Sequence, residues 1–203
     1  PSLICWVNDK NGKNTNGWST YYNWSNKSEE EQPFIMDEKS IIYRNDFSKE
    51  NQISLIDGIN EIRNTLLIPR SSIRLAGLSG VGKTRLAQAL FDNTIGNNPL
   101  NKEMVIYGDI GDSLQPDPIT FIQRLQTLDK RVILIVDNCE ATMHNKLTEL
   151  CQRKNSKISL MTIEYDVKED DNVDSNNYYL STTSAGVLKQ LIKSKFKSIS
   201  DIN

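Results

Sequence analysis

The sequence predicts a doubly wound α/β domain with five parallel strands and a small N-terminal appendage. Three observations predict it. Apolar strand-like runs alternate with segments of helical periodicity from about residue 48 onward, which is the pattern of a parallel sheet with helices on both faces. Val132-Ile133-Leu134-Ile135-Val136 is apolar at every position, as suits a strand covered on both sides. Between the first strand and the helix after it lies Gly77-Leu78-Ser79-Gly80-Val81-Gly82-Lys83-Thr84, a full match to G-x-x-x-x-G-K-[ST].

In chain order, Ile53, Leu55, Ile56, Ile59, Ile62, Leu66 and Leu67 recur at helical spacing. Ser48 or Asn51 is a candidate cap, and the helix is expected to end near Pro69. Ile73 to Ala76 is the first strand, and Leu86, Ala87, Ala89, Leu90 and Phe91 line a helix after the glycine-rich loop. Met104 to Tyr107 reads as the second strand, Ile119 to Leu128 as a helix, and Val132 to Val136 as the third strand. A helix over Met143 to Arg153, a strand at Ile158 to Ile163, an exposed acidic loop at Lys168 to Asn177, a strand at Tyr178 to Leu180 and a helix from Ser184 to Phe196 complete the alternation.

Residues 1–40 differ from the rest and read as an appendage or interdomain segment, with residues 41–203 as the core. Leu3 to Val7 looks like a short strand, with turn signals at Asn11-Gly12 and Asn16-Gly17. Trp18, Tyr21, Tyr22 and Trp24 are an aromatic cluster without interleaved basic residues, which favours packing against the core over a stacking platform for nucleic acid. The chain starts at Pro1 and ends soon after its last helix, so it is read as a fragment of a longer protein.

Composition narrows the class. With 24 basic and 26 acidic residues the formal charge is −2, so no general attraction to nucleic acid or anionic membranes is expected. No apolar run approaches the roughly 20 residues of a membrane span, and no signal segment opens the chain; a cytoplasmic location is expected. Cys5, Cys139 and Cys151 have no zinc-ligand spacing, and His144 is the single histidine.

The loop carries the chemistry. Gly80 and Gly82 let backbone amides approach phosphate oxygens without a Cβ in the way, and the helix start adds partial positive charge. Gly77, Ser79, Gly80, Val81, Gly82, Lys83, Thr84 and Arg85 are the expected nucleotide-binding residues. Lys83 would reach the β- and γ-phosphates, and the Thr84 hydroxyl would ligate Mg²⁺. This is the P-loop of an NTPase, with ATP or ADP and Mg²⁺ as expected ligands.

A carboxylate at the end of a neighbouring apolar strand should complete the metal side, and Asp137 follows Val132 to Val136 in a Walker B pattern. Hydrolysis also needs a group that orients water. The next residue is Asn138, whose amide can position water but is a poor base, so turnover should be slow unless another acid serves. Glu164 and Glu140 are the candidates, which makes Lys83, Asp137, Asn138 and Glu164 the expected catalytic set and Thr84 with Asp137 the metal ligands. Thr162 is a candidate γ-phosphate sensor; Asp109 and Asp112 fit turn chemistry better than a metal shell. Arg74, Arg85 and Arg124 are candidates for action across an oligomer interface.

Gly77 to Ala87 resembles the P-loop of STAND ATPases, the NB-ARC-like, AAA+-related P-loop NTPases of signalling and bacterial antiviral defence. The resemblance covers residues 41–203, and it implies that the five parallel strands run in the order 5-1-4-3-2, with the sensor strand between the P-loop and Walker B strands. It implies that Asn45-Asp46-Phe47 and the following helix help to enclose adenine, that Lys157 to Glu164 is the sensor strand, and that Tyr178 to Leu188 enters the lid, whose winged-helix part the chain lacks. It also implies flanking effector and sensor domains, and nucleotide-dependent homo-oligomers. Two departures are Asn138 and Glu164, where the family carries an acid and an arginine. The sequence therefore points to a slowly hydrolysing regulatory ATPase core. A non-hydrolysing nucleotide-bound scaffold and a small-molecule P-loop kinase are the alternatives. A GTPase is disfavoured, since Asn26-Lys27-Ser28-Glu29 lies before the loop.

Overall fold

A computed structural model describes residues 17–26, 40–46, 48–165 and 176–181. The protein is α/β, and its described residues form one mixed sheet of eight strands: β1 (Trp18–Thr20), β2 (Ile41–Arg44), β3 (Gln52–Ser54), β4 (Ser72–Ala76), β5 (Val105–Asp109), β6 (Val132–Asp137), β7 (Ile158–Glu164) and β8 (Asn176–Leu180). Their order is β1-β5-β6-β7-β4-β8-β2-β3. The β5-β6, β6-β7, β7-β4 and β4-β8 pairs are parallel, whereas β1 pairs antiparallel with β5, and β2 pairs antiparallel with both β8 and β3.

The expected sheet of five parallel strands is therefore corrected to a mixed sheet of eight. The three added strands are only three or four residues long, too short to show alternation in the sequence. They sit at the edges, where they pair backbone groups that the parallel strands would leave open.

Among the described residues five α-helices accompany the sheet: α1 (Tyr21–Asn26), α2 (Leu55–Leu67), α3 (Lys83–Ala89), α4 (Pro118–Gln126) and α5 (Ala141–Cys151). The expected start of α2 at Ser48 or Asn51 is wrong. Residues Gln52–Ser54 are strand β3, and Ser54 caps the helix by accepting from the Asp57 amide at 3.1 Å. Leu3–Val7, the helix over 184–196 and most of the acidic loop lie outside the described residues.

Alternation along the strands divides the core into two. Ile73, Leu75, Ile133, Ile135, Met161 and Ile163 face Ile59, Ile62 and Leu66 of α2 and Leu86 of α3. The opposite face sets Val132, Leu134, Val136 and Leu160 against Phe121, Ile122 and Leu125 of α4 and Leu147 and Cys151 of α5. The P-loop helix and α5 thus lie on opposite sides of the sheet.

The aromatic cluster resolves as packing for its two tryptophans. Trp18 is buried, stacks on Phe121 with ring centroids 4.1 Å apart, and donates its indole N–H to the Pro116 carbonyl at 2.9 Å. Trp24 is buried against Tyr107, whereas Tyr22 remains 58% exposed.

Candidate functional site

β4 ends at Ala76, and the glycine-rich loop leads from there into α3. Gly80 and Gly82 have φ of 78° and 98°, left-handed values that a side chain would strain, and a Cβ at either position would meet nothing within 4 Å. The space above these two residues is open, as a phosphate cradle requires. Gly77 is needed for closeness instead, because a Cβ there would stand 2.8 Å from the Leu180 carbonyl oxygen of β8. Ser79 is exposed, Val81 packs against the core edge, and Arg85 donates to Gln88 Oε1 at 2.9 Å.

Lys83 is buried and folds back over the loop, donating from Nζ to the Gly77 carbonyl at 2.8 Å and the Leu78 carbonyl at 2.9 Å. Burial lowers its pKa, and the Asp137 carboxylate opposes that shift. The ammonium thus hydrogen-bonds neutral carbonyls, which a charged phosphate oxygen could replace.

Asp137 ends β6, in register with Asp109 of β5. Its Oδ2 accepts from Thr84 Oγ1 at 2.7 Å and from Tyr107 Oη at 3.0 Å, and its Oδ1 accepts from the Asn138 amide at 2.9 Å. The structure therefore joins the two expected metal ligands, which lie 53 positions apart, in one hydrogen bond. These residues fit a phosphate-bound Mg²⁺: the hydroxyl and the carboxylate side by side are oxygen ligands such an ion takes, and the open cradle and the buried ammonium suit the phosphates that would bring it. Among the described residues no group of three or more His, Cys, Asp and Glu could hold a metal without the phosphate.

The water-orienting candidates fall elsewhere. Asn138 sits at φ 53°, and its side-chain amide donates to Asp109 Oδ1 at 2.7 Å. Asp109 also accepts from the Gly111 amide at 2.8 Å, which is turn chemistry. Glu140 is exposed and accepts from Thr142. Glu164 stands in register with Ala76, just before the loop, but points to the α5 side, where its Oε2 accepts from Arg74 Nε at 3.1 Å and forms an ion pair with Arg74 Nη2. Arg74 is buried in β4, so the expectation that it acts across an oligomer interface is overturned.

Thr162 is also corrected. It is buried, and its Oγ1 lies 2.7 Å from His144 Nδ1 in α5, on the face away from the P-loop helix. His144 Nε2 is 3.4 Å from Thr148 Oγ1, which is 2.7 Å from Ser72 Oγ. Ser72, Thr148, His144 and Thr162 form a polar line that fastens α5 to β4 and β7. The Thr162 hydroxyl is thus engaged with α5 and not with the glycine-rich loop.

Asn45 and Asp46 do not line the loop either. β2 enters level with Ser181, beside the loop, and runs antiparallel to β8, so it carries Asn45 down to Asn177. Phe47 lies outside the described residues. Cys139 and Cys151 are buried free thiols whose pKa burial pushes up to about 12, which leaves them unreactive.

Burial, and secondarily the charge of Arg74, pushes the His144 pKa down to about 4. The ordinary value near 6.5 applies to the unfolded chain, so the unfolded state takes up a proton first as pH falls. The stability contributed by neutral His144 is complete above about pH 6.5 and is lost as pH falls toward 4, by roughly 3 kcal/mol. Urea titrations at pH 7 and pH 4.5 should show a steeper loss in the wild type than in His144→Gln. Parallel losses in the two proteins would show that His144 does not titrate in this window.

The site was partly hidden in the sequence. The sequence gives no sign of Tyr107 as a site residue, because an aromatic position in a strand does not tell that its hydroxyl meets Asp137. Arg74 and His144 carried a signal, since each is a polar residue amid apolar neighbours, but spacing does not tell which partner each one meets.

No family model matches the chain, and no curated protein matches it. Among solved structures it is similar to PCH-2 of C. elegans, at 16% identity over 73% of this chain and 46% of that one, with a TM-score of 0.42. It is also similar to a chain in the HORMA:CdnC:Trip13 complex of E. coli MS115-1, at 15% identity over 63% of this chain and 55% of that one, with a TM-score of 0.37. The chain spans about half the length of both. Among the described residues no helix is long and apolar enough to cross a membrane.

Proposed function

We propose that the chain is an Mg²⁺-dependent ATP-binding core with slow turnover, whose nucleotide state regulates domains flanking it in a longer cytoplasmic protein of the STAND type. The observation that carries this reading is the 2.7 Å hydrogen bond from Thr84 to Asp137, made beside the buried Lys83 ammonium. A hydroxyl that donates to a carboxylate keeps its lone pairs for a cation, and the loop's open face leaves room for the phosphates that bring it. Lys83 would exchange the Gly77 and Leu78 carbonyls for phosphate oxygens, a change to charged acceptors that favours the bound state.

Turnover is expected to be slow because the position directly after Asp137 carries an amide, Asn138, and not a carboxylate. Asn138 is tied to Asp109, and Glu164 to Arg74. The engagement of Asn138 equally favours the second reading, a binding-only scaffold stabilised by its ligand through mass action. A regulatory role, in either case, works by population shift, with nucleotide favouring one arrangement of the flanking domains or of a homo-oligomer.

Calorimetric titration of ATP, ADP and GTP with and without Mg²⁺ tests the site. The wild type should bind ATP in a Mg²⁺-dependent way, and Lys83→Ala should bind about a hundredfold more weakly, the scale of a lost charge-assisted contact of 2–3 kcal/mol. Equal affinity in the two proteins would refute the reading. Single-turnover hydrolysis then separates slow ATPase from scaffold.

A further inference from the structure

Asp137 is held from three directions. The Asn138 amide fixes Oδ1, and Thr84 and Tyr107 both donate to Oδ2. Thr84 belongs to the loop and must reorganise when nucleotide and metal arrive. Tyr107 does not: it lies in β5, its ring is buried, and it is stacked on Trp24 with centroids 4.4 Å apart and planes 8° from parallel.

Trp24 is placed in turn by contacts on the P-loop side. Its ring meets Phe91, just after α3, edge-on at 6.5 Å, and Tyr21 of the same α1 helix lies 5.2 Å from Phe91. The aromatic helix α1 therefore spans the end of the P-loop helix and the strand beside Asp137.

We infer that Tyr107, held by Trp24, is a positioning residue that orients the Asp137 carboxylate for the nucleotide-bound Mg²⁺, and that the N-terminal aromatic helix is thereby part of the metal-side scaffold. This rests on the proposed Mg²⁺-nucleotide site. Without the phenol donor, a carboxylate at the strand's end can turn about its side-chain torsions, and ligand orientation by outer partners is worth 10- to 100-fold in metal affinity.

Tyr107→Phe, made in the full 203-residue chain, keeps the ring and removes only the hydroxyl. ATP affinity should be unchanged without Mg²⁺, while the gain in affinity on adding Mg²⁺ should fall about tenfold. A merely structural role would weaken ATP equally with and without the metal, or not at all, and either result overturns the inference while leaving the ATP site standing. If wild-type protein bound no ATP, both the parent reading and this one would fall. A second measurement needs no nucleotide. In the wild type, NMR of tyrosine-labelled protein should show a slowly exchanging Tyr107 hydroxyl proton that shifts in Asp137→Asn. Its absence would overturn the proposed contact.

Discussion

Replacing Glu164 with alanine should unfold the domain more readily, by about 3–5 kcal/mol, before any effect on hydrolysis can be read. Arg74 and Glu164 are 2% and 7% exposed, and they face each other across β4 and β7 on the side of the sheet covered by α5. A buried guanidinium that loses its carboxylate keeps its charge and its desolvation cost, so the damage lies in the partner left behind. This separates two roles for Glu164. If it acts as a base, Glu164→Gln should abolish turnover in a protein of normal stability. If it acts as the counter-ion of Arg74, the loss should appear in urea titrations of both Glu164→Ala and Glu164→Gln. The double variant Arg74→Met/Glu164→Leu, which removes both charges and fills their space, should then recover most of the stability. Recovery in the double variant is the expected result, and failure to recover would show that the pair does more than balance its own charges.

The same pair illustrates what a sequence can and cannot reveal. The geometry of the glycine-rich loop was legible because its pattern sets particular residues at fixed spacing: glycines where the backbone turns left-handed, a lysine and a hydroxyl next to them. Asp137 was legible because a carboxylate closing an all-apolar strand has few other reasons to be there, and the structure puts it on Thr84. The central strands were legible for the same reason, since burial on both faces leaves an unbroken apolar run.

Glu164, Thr162 and Arg74 were assigned to a place in chain order but not to a face of the sheet. Period-two alternation sends Thr162 and Glu164 to the α5 side while Ile163 faces the P-loop helix, and the difference between sensing a phosphate and fastening a helix is one residue of register. Asn45 and Asp46 failed differently. Their strand is four residues long, and its antiparallel direction depends on pairing with β8, more than a hundred positions later in the chain. Edge strands of this kind are specified by which partner is left unpaired once the core has assembled, and local pattern holds little trace of that.

A larger loss should follow from a residue that the sequence presents as one more charged position on a surface helix. Arg63 of α2 is fully buried, and each of its five N–H groups donates to a backbone carbonyl. Nε bonds Leu90, Nη1 bonds Ile95 and Asn97, and Nη2 bonds Ala89 and Asp92, at 2.5–2.9 Å. These carbonyls belong to the end of the P-loop helix and the chain that leaves it. The last carbonyls of any helix lack intrahelical partners, and here a guanidinium from a neighbouring helix supplies them. Next to it, Asn60 Oδ1 accepts from the Asn97 amide at 2.7 Å, so α2 braces the whole segment after α3.

Arg63→Ala orphans several buried carbonyls together and opens a cavity of guanidinium size, so the expected loss is at least about 4 kcal/mol. In thermal denaturation that corresponds to about 10 °C or more for a domain of this size. Arg63→Lys should recover little, because one ammonium has three donors on a single point and cannot reach carbonyls spread around a planar fork. The two substitutions together decide the mechanism. If lysine restored the melting temperature, positive charge near the end of α3 would be the stabilising feature. If lysine failed as alanine did, the five directed hydrogen bonds would be what holds the P-loop helix against α2.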